Sequence, residues 1–182
     1  MLASRMRPVK YAALIGLALV CCAPIAAESC TPSLPPEALN LLASSYPGYR
    51  VLQLGDLNSD DQTIWKNSYG DACPGVVEGF FTGPSKAYAV LLVPDKQNQG
   101  EIKAVLVEAA PDGGMTHRRI FSEPSQPNLP VIRKSKPGVY EDAETHAKVR
   151  TSNDVVLIEH LESSITALSV SRGKVKRLTL AE

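Results

Sequence analysis

Short apolar segments separated by turns fill the chain from Val76 onward, and this spacing limits the fold more than any other feature. The connections are rich in Gly, Pro and Asp, and such short connections join antiparallel strands, because a parallel crossover needs a dozen residues or more. AYAVLLV and VVLI are continuous apolar runs, so we expect them in central strands covered on both faces. The predicted strands are VVEGFF, AYAVLLV, IKAVLVEA, THRRIF, LPVIRK, HAKVRT, VVLIEHL, SITALSV and KVKRLTL.

Two short helices are predicted ahead of these strands. LPPEALNLLASSYPG begins with prolines that suit a first helical turn and ends at Pro47-Gly48, and a second helix ends at Gly70. Between them, YRVLQL has the alternation of a strand. Two helices followed by a meandering antiparallel sheet define an α+β domain, in which the sheet forms either a sandwich or a strongly curled layer. Residues 28–182 suffice for one such domain.

The first 27 residues have the organisation of a secretory signal peptide. Basic residues at Arg5, Arg7 and Lys10 precede an apolar run at 11–23, and small residues follow up to Ala27. The apolar run is short for a bilayer span, so we expect cleavage near Ala27, a periplasmic or secreted protein, and no stable membrane span in the mature chain. Two alternatives stay open: acylation at Cys21 or Cys22, and a buried N-terminal helix.

The charge of the mature chain argues against a nucleic-acid partner. The whole chain has 19 Lys+Arg and 19 Asp+Glu, and residues 1–27 contain three basic residues and no acidic ones, which leaves 16 against 19. A nucleic-acid binder is expected to be basic. The clusters HRR (117–119), RKSK (133–136) and KVKR (174–177) lack interleaved aromatic residues, so we interpret them as solvated strand faces.

Two of the four cysteines remain after cleavage, Cys30 and Cys73. An even pair in an oxidising compartment predicts one disulfide. The bridge closes a loop of about forty residues, which is worth roughly 4 kcal/mol in the chain-entropy model. The alternative, a redox-active thiol, usually needs a C-x-x-C pair or a thiolate-stabilising environment, and neither is visible.

The stretch GDLNSDDQ (55–62) resembles the start of a calcium loop, with oxygen ligands at Asp56, Asn58 and Asp60. The glycine required at the sixth position is replaced by Asp61, and the twelfth position, Asn67, cannot chelate as a carboxylate does. The alternative is a capping box, in which Ser59 caps a helix with Gln62 three residues later. We therefore predict a helix cap, no metal site and no cofactor.

A local resemblance covers residues 73–93, CPGVVEGFFTGPSKAYAVLLV. This stretch resembles a hairpin of exported bacterial proteins of unknown function that are related in pattern to FG-GAP or VCBS repeats. The positions that match the framework are Gly79, Phe81, Gly83, Tyr88, Ala89 and Val90. The resemblance implies a β-hairpin packed by aromatic residues. It does not imply calcium binding, because the positions of the acidic ligands hold Phe80, Thr82, Pro84 and Ala87.

Catalytic patterns are sparse in this sequence. There is no G-x-S-x-G, H-E-x-x-H or S-x-x-K pattern and no Gly-rich phosphate loop. Glu144/His146 and His160/Glu162 would share a face on a strand and could form half a metal site, although a solvated ion pair is commoner. The acidic stretch YEDAE (140–144) could hold a hydrolase dyad, but we interpret it as an exposed turn.

These features favour a non-catalytic protein-binding module of the cell envelope. Its concrete form is an inhibitor, or the immunity-type partner of an envelope-acting enzyme or toxin, and its partner would be another envelope or periplasmic protein. Long connections often carry recognition, so the candidate surface comprises SEPSQPNLP (122–130) and VYEDAETH (139–146). The candidate binding residues are Gln126, Asn128, Tyr140, Glu141, Asp142, Glu144 and His146. Two alternatives remain: ordinary solvated loops, and a small periplasmic enzyme or lipid/glycan-binding protein with a site assembled only in the fold.

Overall fold

The computed structural model describes Cys30 and residues 33–95, 100–161 and 163–180. The predicted signal peptide, with Cys21 and Cys22, lies outside the described residues. The helices are α1 (Pro36–Ser45) and α2 (Ser59–Tyr69), with a 3₁₀ turn at Leu54–Asp56. The strands are β1 (Tyr49–Val51), β2 (Val76–Gly79), β3 (Ala87–Pro94), β4 (Glu101–Ala109), β5 (Met115–Pro124), β6 (Val131–Ser135), β7 (Val139–Glu141), β8 (Lys148–Arg150), β9 (Val155–His160), β10 (Ser164–Ser171) and β11 (Lys174–Leu180).

The strands form three sheets rather than one meandering sheet, and they pair antiparallel, as the short connections predict. The first sheet has the order β1-β3-β4-β5, with β2 also pairing with β3. The second sheet has the order β11-β10-β9-β6, and β7 and β8 form a separate two-stranded hairpin. The α+β class with two N-terminal helices is confirmed.

The central core lies between the inner faces of the first and second sheets, so the domain is a sandwich. Ala89 and Leu91 of β3 enter the same apolar cluster as Ile158 of β9 and Leu168 of β10. The next residue along β3, Val90, points to the opposite face. β3 and β9 are both interior strands of their sheets, which confirms the prediction from their continuous apolar runs.

Each sheet is also covered on its outer face. Helix α1 packs Ala38 and Leu42 against the first sheet. The β7–β8 hairpin packs Tyr140 and Val149 against the second sheet, over Leu178. In the structure this segment forms a strand hairpin, whereas the sequence predicts a connecting loop at 139–146 and a strand that starts at His146. The loop prediction is wrong for residues 139–141, and the following strand starts at Lys148.

The predicted disulfide between Cys30 and Cys73 is present, with Cα atoms 5.3 Å apart. Cys30 is buried in the cluster that α1 forms with the first sheet, next to Leu34. The bridge therefore fixes the start of the described chain to the segment that leads into β2.

One side of the sandwich is closed where the segments flanking β2 bond to β6 and to the residue before β9. The backbone N–H of Ile132 donates to the carbonyl of Pro74 at 2.8 Å. The carboxylate of Asp154 accepts from the backbone N–H of Phe80 at 2.9 Å, and the Asp154 N–H donates to the Phe80 carbonyl at 3.0 Å. Among the described residues, no corresponding strand pairing joins β5 to β11, which are terminal strands of their sheets.

The segment that resembles the FG-GAP pattern is an antiparallel pair, β2 with β3, in which Gly79 lies opposite Ala87. Phe81 is fully buried in the central core. A Cβ atom at Gly79 would lie 2.7 Å from the Phe81 ring and 2.8 Å from Lys134, so the close approach of these side chains requires glycine. The hairpin is present, and the kinship with that family stays a prediction.

Helix α2 begins with a cap, although the capping residue is Asn58 and not Ser59. The Asn58 side-chain oxygen accepts from the backbone N–H groups of Asp60 at 3.0 Å and Asp61 at 2.9 Å. Ser59 is the first helical residue, and the Gln62 side chain donates to the Leu57 carbonyl instead of closing a capping box. Asn58 takes the cap because its extended backbone, with φ −64° and ψ 167°, places its side chain over the first turn.

The other oxygen ligands of the calcium-like stretch have structural partners of their own. Arg50 donates two hydrogen bonds to the Asp56 carboxylate, at 2.5 and 2.6 Å. The backbone N–H of Gln53 donates to the same carboxylate at 2.8 Å. The Asp60 carboxylate accepts from the Ser59 hydroxyl at 3.4 Å, and the neighbouring Asp61, which replaces the glycine, accepts from the Asn58 amide at 2.6 Å. These oxygens stabilise the turn and the helix start.

Candidate functional site

The β7–β8 hairpin has one face against the second sheet and one face open to solvent. Tyr140 lies opposite Val149 on the inner face. On the outer face Val139 lies opposite Arg150, and Glu141 lies opposite Lys148. Val139 is 56% exposed, the largest exposed fraction among the large apolar side chains of the described chain. The outer face therefore presents one apolar side chain among three charged ones.

The turn of the hairpin is held by the carboxylate of Asp142. One carboxylate oxygen accepts from the backbone N–H of Thr145 at 2.8 Å and from its hydroxyl at 2.7 Å. The other accepts from the backbone N–H of Thr179 in β11 at 3.0 Å. The Ala143 N–H donates to the Thr179 carbonyl at 2.8 Å. The turn is therefore attached to the edge of the second sheet through both backbone groups of Thr179.

Asp142 is only 9% exposed, so the prediction that the whole acidic stretch is exposed is wrong at this position. The hydrogen bonds from the side chain and backbone of Thr145, and then that from the backbone of Thr179, lower the pKa of Asp142 from 3.8 to about 2. The carboxylate is ionised at any physiological pH, and the hydrogen bonds that it accepts hold the turn in place.

The other charged residues of the turn face solvent. Glu141 lies between the imidazole of His146, at 3.3 Å, and the amine of Lys148, at 3.5 Å. Glu144 accepts from the Thr179 hydroxyl at 3.4 Å. Glu144 and His146 lie in the turn and not on one strand face, so the premise of the predicted Glu144/His146 half-site is wrong; His146 contacts Glu141 instead.

Tyr140 has a different role from the exposed residues beside it. Its ring is half-buried under the hairpin, and its hydroxyl contacts the Ser135 hydroxyl at 2.8 Å and donates to the Lys136 carbonyl. These contacts attach the first strand of the hairpin to the end of β6. Tyr140 therefore orients the hairpin, while Val139 and Glu141 on either side of it point outward.

The second candidate segment connects β5 to β6 and so passes from the first sheet to the second. Gln126 and Asn128 are exposed in it. The Asn58 amide donates to the Asn128 side-chain oxygen at 3.4 Å, which places this segment beside the start of α2. A crevice of about 30 Å³ beside Gln126 is bordered by Asp56, Val93 and Leu129.

The two candidate segments are attached to different strands of the second sheet. The connection ends at Val131 in β6, whereas the hairpin turn is attached to Thr179 in β11. β6 and β11 are opposite edges of the second sheet. Three strand spacings separate them, or about 14 Å. The connection and the hairpin turn are therefore attached at opposite edges of this sheet.

A histidine–carboxylate pair beside this connection was not predicted. The Nε2 atom of His160 lies 2.8 Å from the Glu123 carboxylate, and both side chains are partly buried. The hydrogen bond to Glu123 raises the pKa of His160 above its ordinary 6.5, against the effect of burial. The sequence pairs His160 with Glu162, which lies outside the described residues. Glu123 is 37 residues away in the chain, so no local pattern indicates it.

The concave regions around the hairpin are open grooves. One groove of about 440 Å³ lies between the turn and β11, and is lined by Glu144, Thr145, Lys176 and Thr179 among others. A smaller cavity of about 240 Å³ adjoins the disulfide, beside Leu54 and Asp71. No group of three or more His, Cys, Asp or Glu side chains in the described residues is arranged to hold a metal ion.

No helix in the part of the chain that the structure describes is long and apolar enough to cross a bilayer. The chain matches no known family model, and no curated protein or solved structure is significantly similar to it.

Proposed function

We propose that this chain is a non-catalytic protein-binding module of the cell envelope, in the concrete form of an inhibitor or immunity-type partner of an envelope-acting enzyme or toxin. The β7–β8 hairpin is its recognition element. The partner is another envelope or periplasmic protein.

The observation that carries the proposal is the fixed hairpin turn. Ordering a loop on binding costs free energy, and an element that is rigid before it meets its partner avoids much of that cost. Here Asp142 attaches the turn to β11 through Thr179, and Tyr140 attaches the first strand to β6. Val139 and Glu141 are therefore presented in one geometry on the outer surface.

The composition of the outer face suits a partner that is itself a folded protein. An interface is usually built from an apolar anchor surrounded by polar and charged groups. Val139 provides the anchor, and Glu141, Lys148 and Arg150 surround it on the same face. The opposite signs of these charges favour a partner with a matched pattern of charge, since complementary charge gives specificity.

The cellular location is supported by the disulfide. A structural disulfide between Cys30 and Cys73 forms and persists in an oxidising compartment such as the periplasm. The signal peptide at 1–27 predicts delivery to that compartment. The disulfide and the predicted signal peptide both support a location of residues 28–182 in the cell envelope.

A capture experiment tests the proposal. Immobilised residues 28–182 would be incubated with envelope extract, in parallel with a Val139→Asp/Glu141→Arg variant that changes the outer face of the hairpin. The matched control is Lys86→Gln, because Lys86 is an exposed residue outside the hairpin that pairs with Glu78 at 2.5 Å.

The proposal expects one stoichiometric protein whose enzymatic activity falls on binding, captured by the wild type and the control and lost with the hairpin variant. Recovery of no partner, together with hydrolytic activity of the purified chain that disappears when Glu144 or His146 is changed, would contradict it.

A further inference from the structure

The terminal strand β11 has a free edge beside the hairpin turn. β11 pairs with β10 along one side only, from Lys174 to Leu180. The N–H and carbonyl of Thr179 bond to Asp142 and Ala143 of the hairpin turn, so they point away from β10. Backbone groups of alternate residues in a strand point to the same side, and those of Arg177 and Val175 therefore also point away from β10.

The hairpin turn covers this edge only at Thr179. No hydrogen bond from the described residues reaches the backbone groups of Val175 or Arg177, and both residues are exposed. Val175 is 37% exposed, as one of three large apolar side chains in the described chain that are open to solvent. Two outward pairs of N–H and carbonyl groups are thus available to an additional strand.

The edge strand carries three basic side chains, and Asp142 and Glu144 of the turn line the groove at its Thr179 end. Lys174, Lys176 and Arg177 are all exposed, and none of them forms an ion pair with a described residue. The guanidinium of Arg177 lies 5.0 Å from the centre of the Phe121 ring, at the side of the sandwich where β5 and β11 are not paired. Arg118 of β5 extends its guanidinium to the β10–β11 turn, within 3.7 Å of where a Cβ of Gly173 would lie.

We propose that this edge, Lys174–Arg177, binds an extended acidic segment of the partner protein as an additional β-strand. The free N–H and carbonyl groups of Val175 and Arg177 supply main-chain hydrogen bonds, and the basic side chains select for acidic residues. This inference rests on the proposed function and names the chemistry of a second contact with the same class of partner.

Two other occupants fit the edge less well. A second copy of this chain would place KVKR against KVKR, and like charges opposite each other on paired strands are destabilising. A nucleic acid can accept from the N–H groups through its phosphates, but it has no extended backbone of alternating donors and acceptors to pair with a strand, and single strands usually bind where aromatic rings are open for stacking. Phe121, the aromatic residue that Arg177 contacts at this side, is only 7% exposed.

Synthetic peptides provide the probe for the edge. The first peptide has eight residues with alternating Glu and Val, the second has Lys in place of Glu, and the third is the first with N-methyl groups on alternate amides. Binding to residues 28–182 is measured by fluorescence anisotropy at low and at physiological salt. The inference expects the acidic peptide to bind, about tenfold or greater weakening on N-methylation, and further weakening with salt.

Two protein variants locate the binding on β11. Val175→Pro removes an N–H that points away from β10, so it leaves the β10–β11 pairing intact and is tolerated at an edge. It should abolish binding of the acidic peptide, whereas the matched Val175→Thr should retain it. Lys174→Glu/Lys176→Glu should reverse the preference, so that the Lys peptide binds and the Glu peptide does not; this result does not depend on the folding of the proline variant.

Several results would overturn the inference: no binding of the acidic peptide, equal binding of its N-methylated form, unchanged binding to Val175→Pro, or an unchanged preference in the double Glu variant. A polyanion such as heparin binding equally to wild type and Val175→Pro, with no peptide binding, would mean a general anion-binding surface. A concentration-dependent dimer in sedimentation that Val175→Pro dissolves would mean a second copy.

The capture experiment separates failure of this inference from failure of the proposed function. If the edge variants capture the partner as well as wild type while the hairpin variant does not, the edge inference is wrong and the proposed function stands. If neither set of variants affects what is captured, both are wrong. If both sets lose the partner, the hairpin and the edge bind it together.

Discussion

Removing the disulfide should lower the free energy of unfolding by about 4 kcal/mol. The bridge joins residues 43 apart, and the chain-entropy model gives this value at 25 °C for a loop of that length. The change is a Cys30→Ala/Cys73→Ala double variant of residues 28–182. Because domains of this size are stable by about 5–15 kcal/mol, the variant should remain folded but lose a large fraction of its stability.

Urea unfolding followed by tryptophan fluorescence measures this loss. Trp65 is the single tryptophan, it is 2% exposed, and its indole N–H donates to the Ala72 carbonyl at 2.7 Å, so its emission reports on the core next to the bridge. With a slope of about 2 kcal/mol/M, the midpoint should fall by about 2 M urea.

The wild type in reductant provides the matched control, because it loses the bridge without any change of side chain. Its midpoint should equal that of the double variant. A loss below about 1 kcal/mol in both would refute the reasoning, since it would mean that the bridge does not constrain the unfolded chain as the loop length requires.

Three further predictions concern charges and the helix cap. Asp142→Asn should remove a pH dependence of the melting temperature. Because the pKa of Asp142 is lowered to about 2 from 3.8, the stabilisation by its carboxylate is present above about pH 4 and is lost as the pH falls toward 2. Thermal unfolding of wild type and variant between pH 2 and 6 measures this difference. The His160–Glu123 pair has the opposite sign. Because the pKa of His160 is raised, its stabilisation is complete below the ordinary 6.5 and is lost as the pH rises through the pKa of the folded state. His160→Gln should therefore make the melting temperature less dependent on pH between pH 5 and 9. An NMR titration that gives His160 a pKa at or below 6.5 would contradict the pair. Asn58→Ala should cost about 1 kcal/mol of unfolding free energy, and Ser59→Ala close to none; the reverse order in urea unfolding would restore Ser59 as the cap.

The parts of the fold that the sequence predicts are those set by local patterns. β3 and β9 can be predicted because a continuous apolar run indicates an interior strand that is buried on both faces, whichever elements cover it. The disulfide is predictable because removal of the predicted signal peptide would leave one possible pair, Cys30 and Cys73. Antiparallel pairing follows from the short turns.

The parts that the sequence does not predict depend on residues far apart in the chain. The hairpin strands contain few apolar residues, and they form because Tyr140 and Val149 are buried on Leu178, which another strand supplies. The role of Asp142 in attaching the turn to β11 cannot be predicted for the same reason, since its partner Thr179 is 37 residues away. Asn58 and Ser59 are both good capping residues, and only the backbone geometry decides between adjacent ones.

The sequence does not predict that β11 has a free edge. KVKR reads as a solvated strand face, and Lys174 and Lys176 are indeed exposed. What the pattern cannot show is that β11 is the terminal strand of its sheet, because the pairing order of the strands is a property of the whole fold. The outward direction of the Val175 backbone follows only from the bonds made by Thr179.

Photo-crosslinking in the cell envelope tests the proposed role of the hairpin most directly. A photoreactive amino acid would replace Val139 on the outer face of the hairpin, and in a parallel strain Lys86 outside it. The account predicts one discrete protein adduct from position 139 and none of that size from position 86. The absence of any adduct from position 139, or the same adducts from both positions, would contradict it.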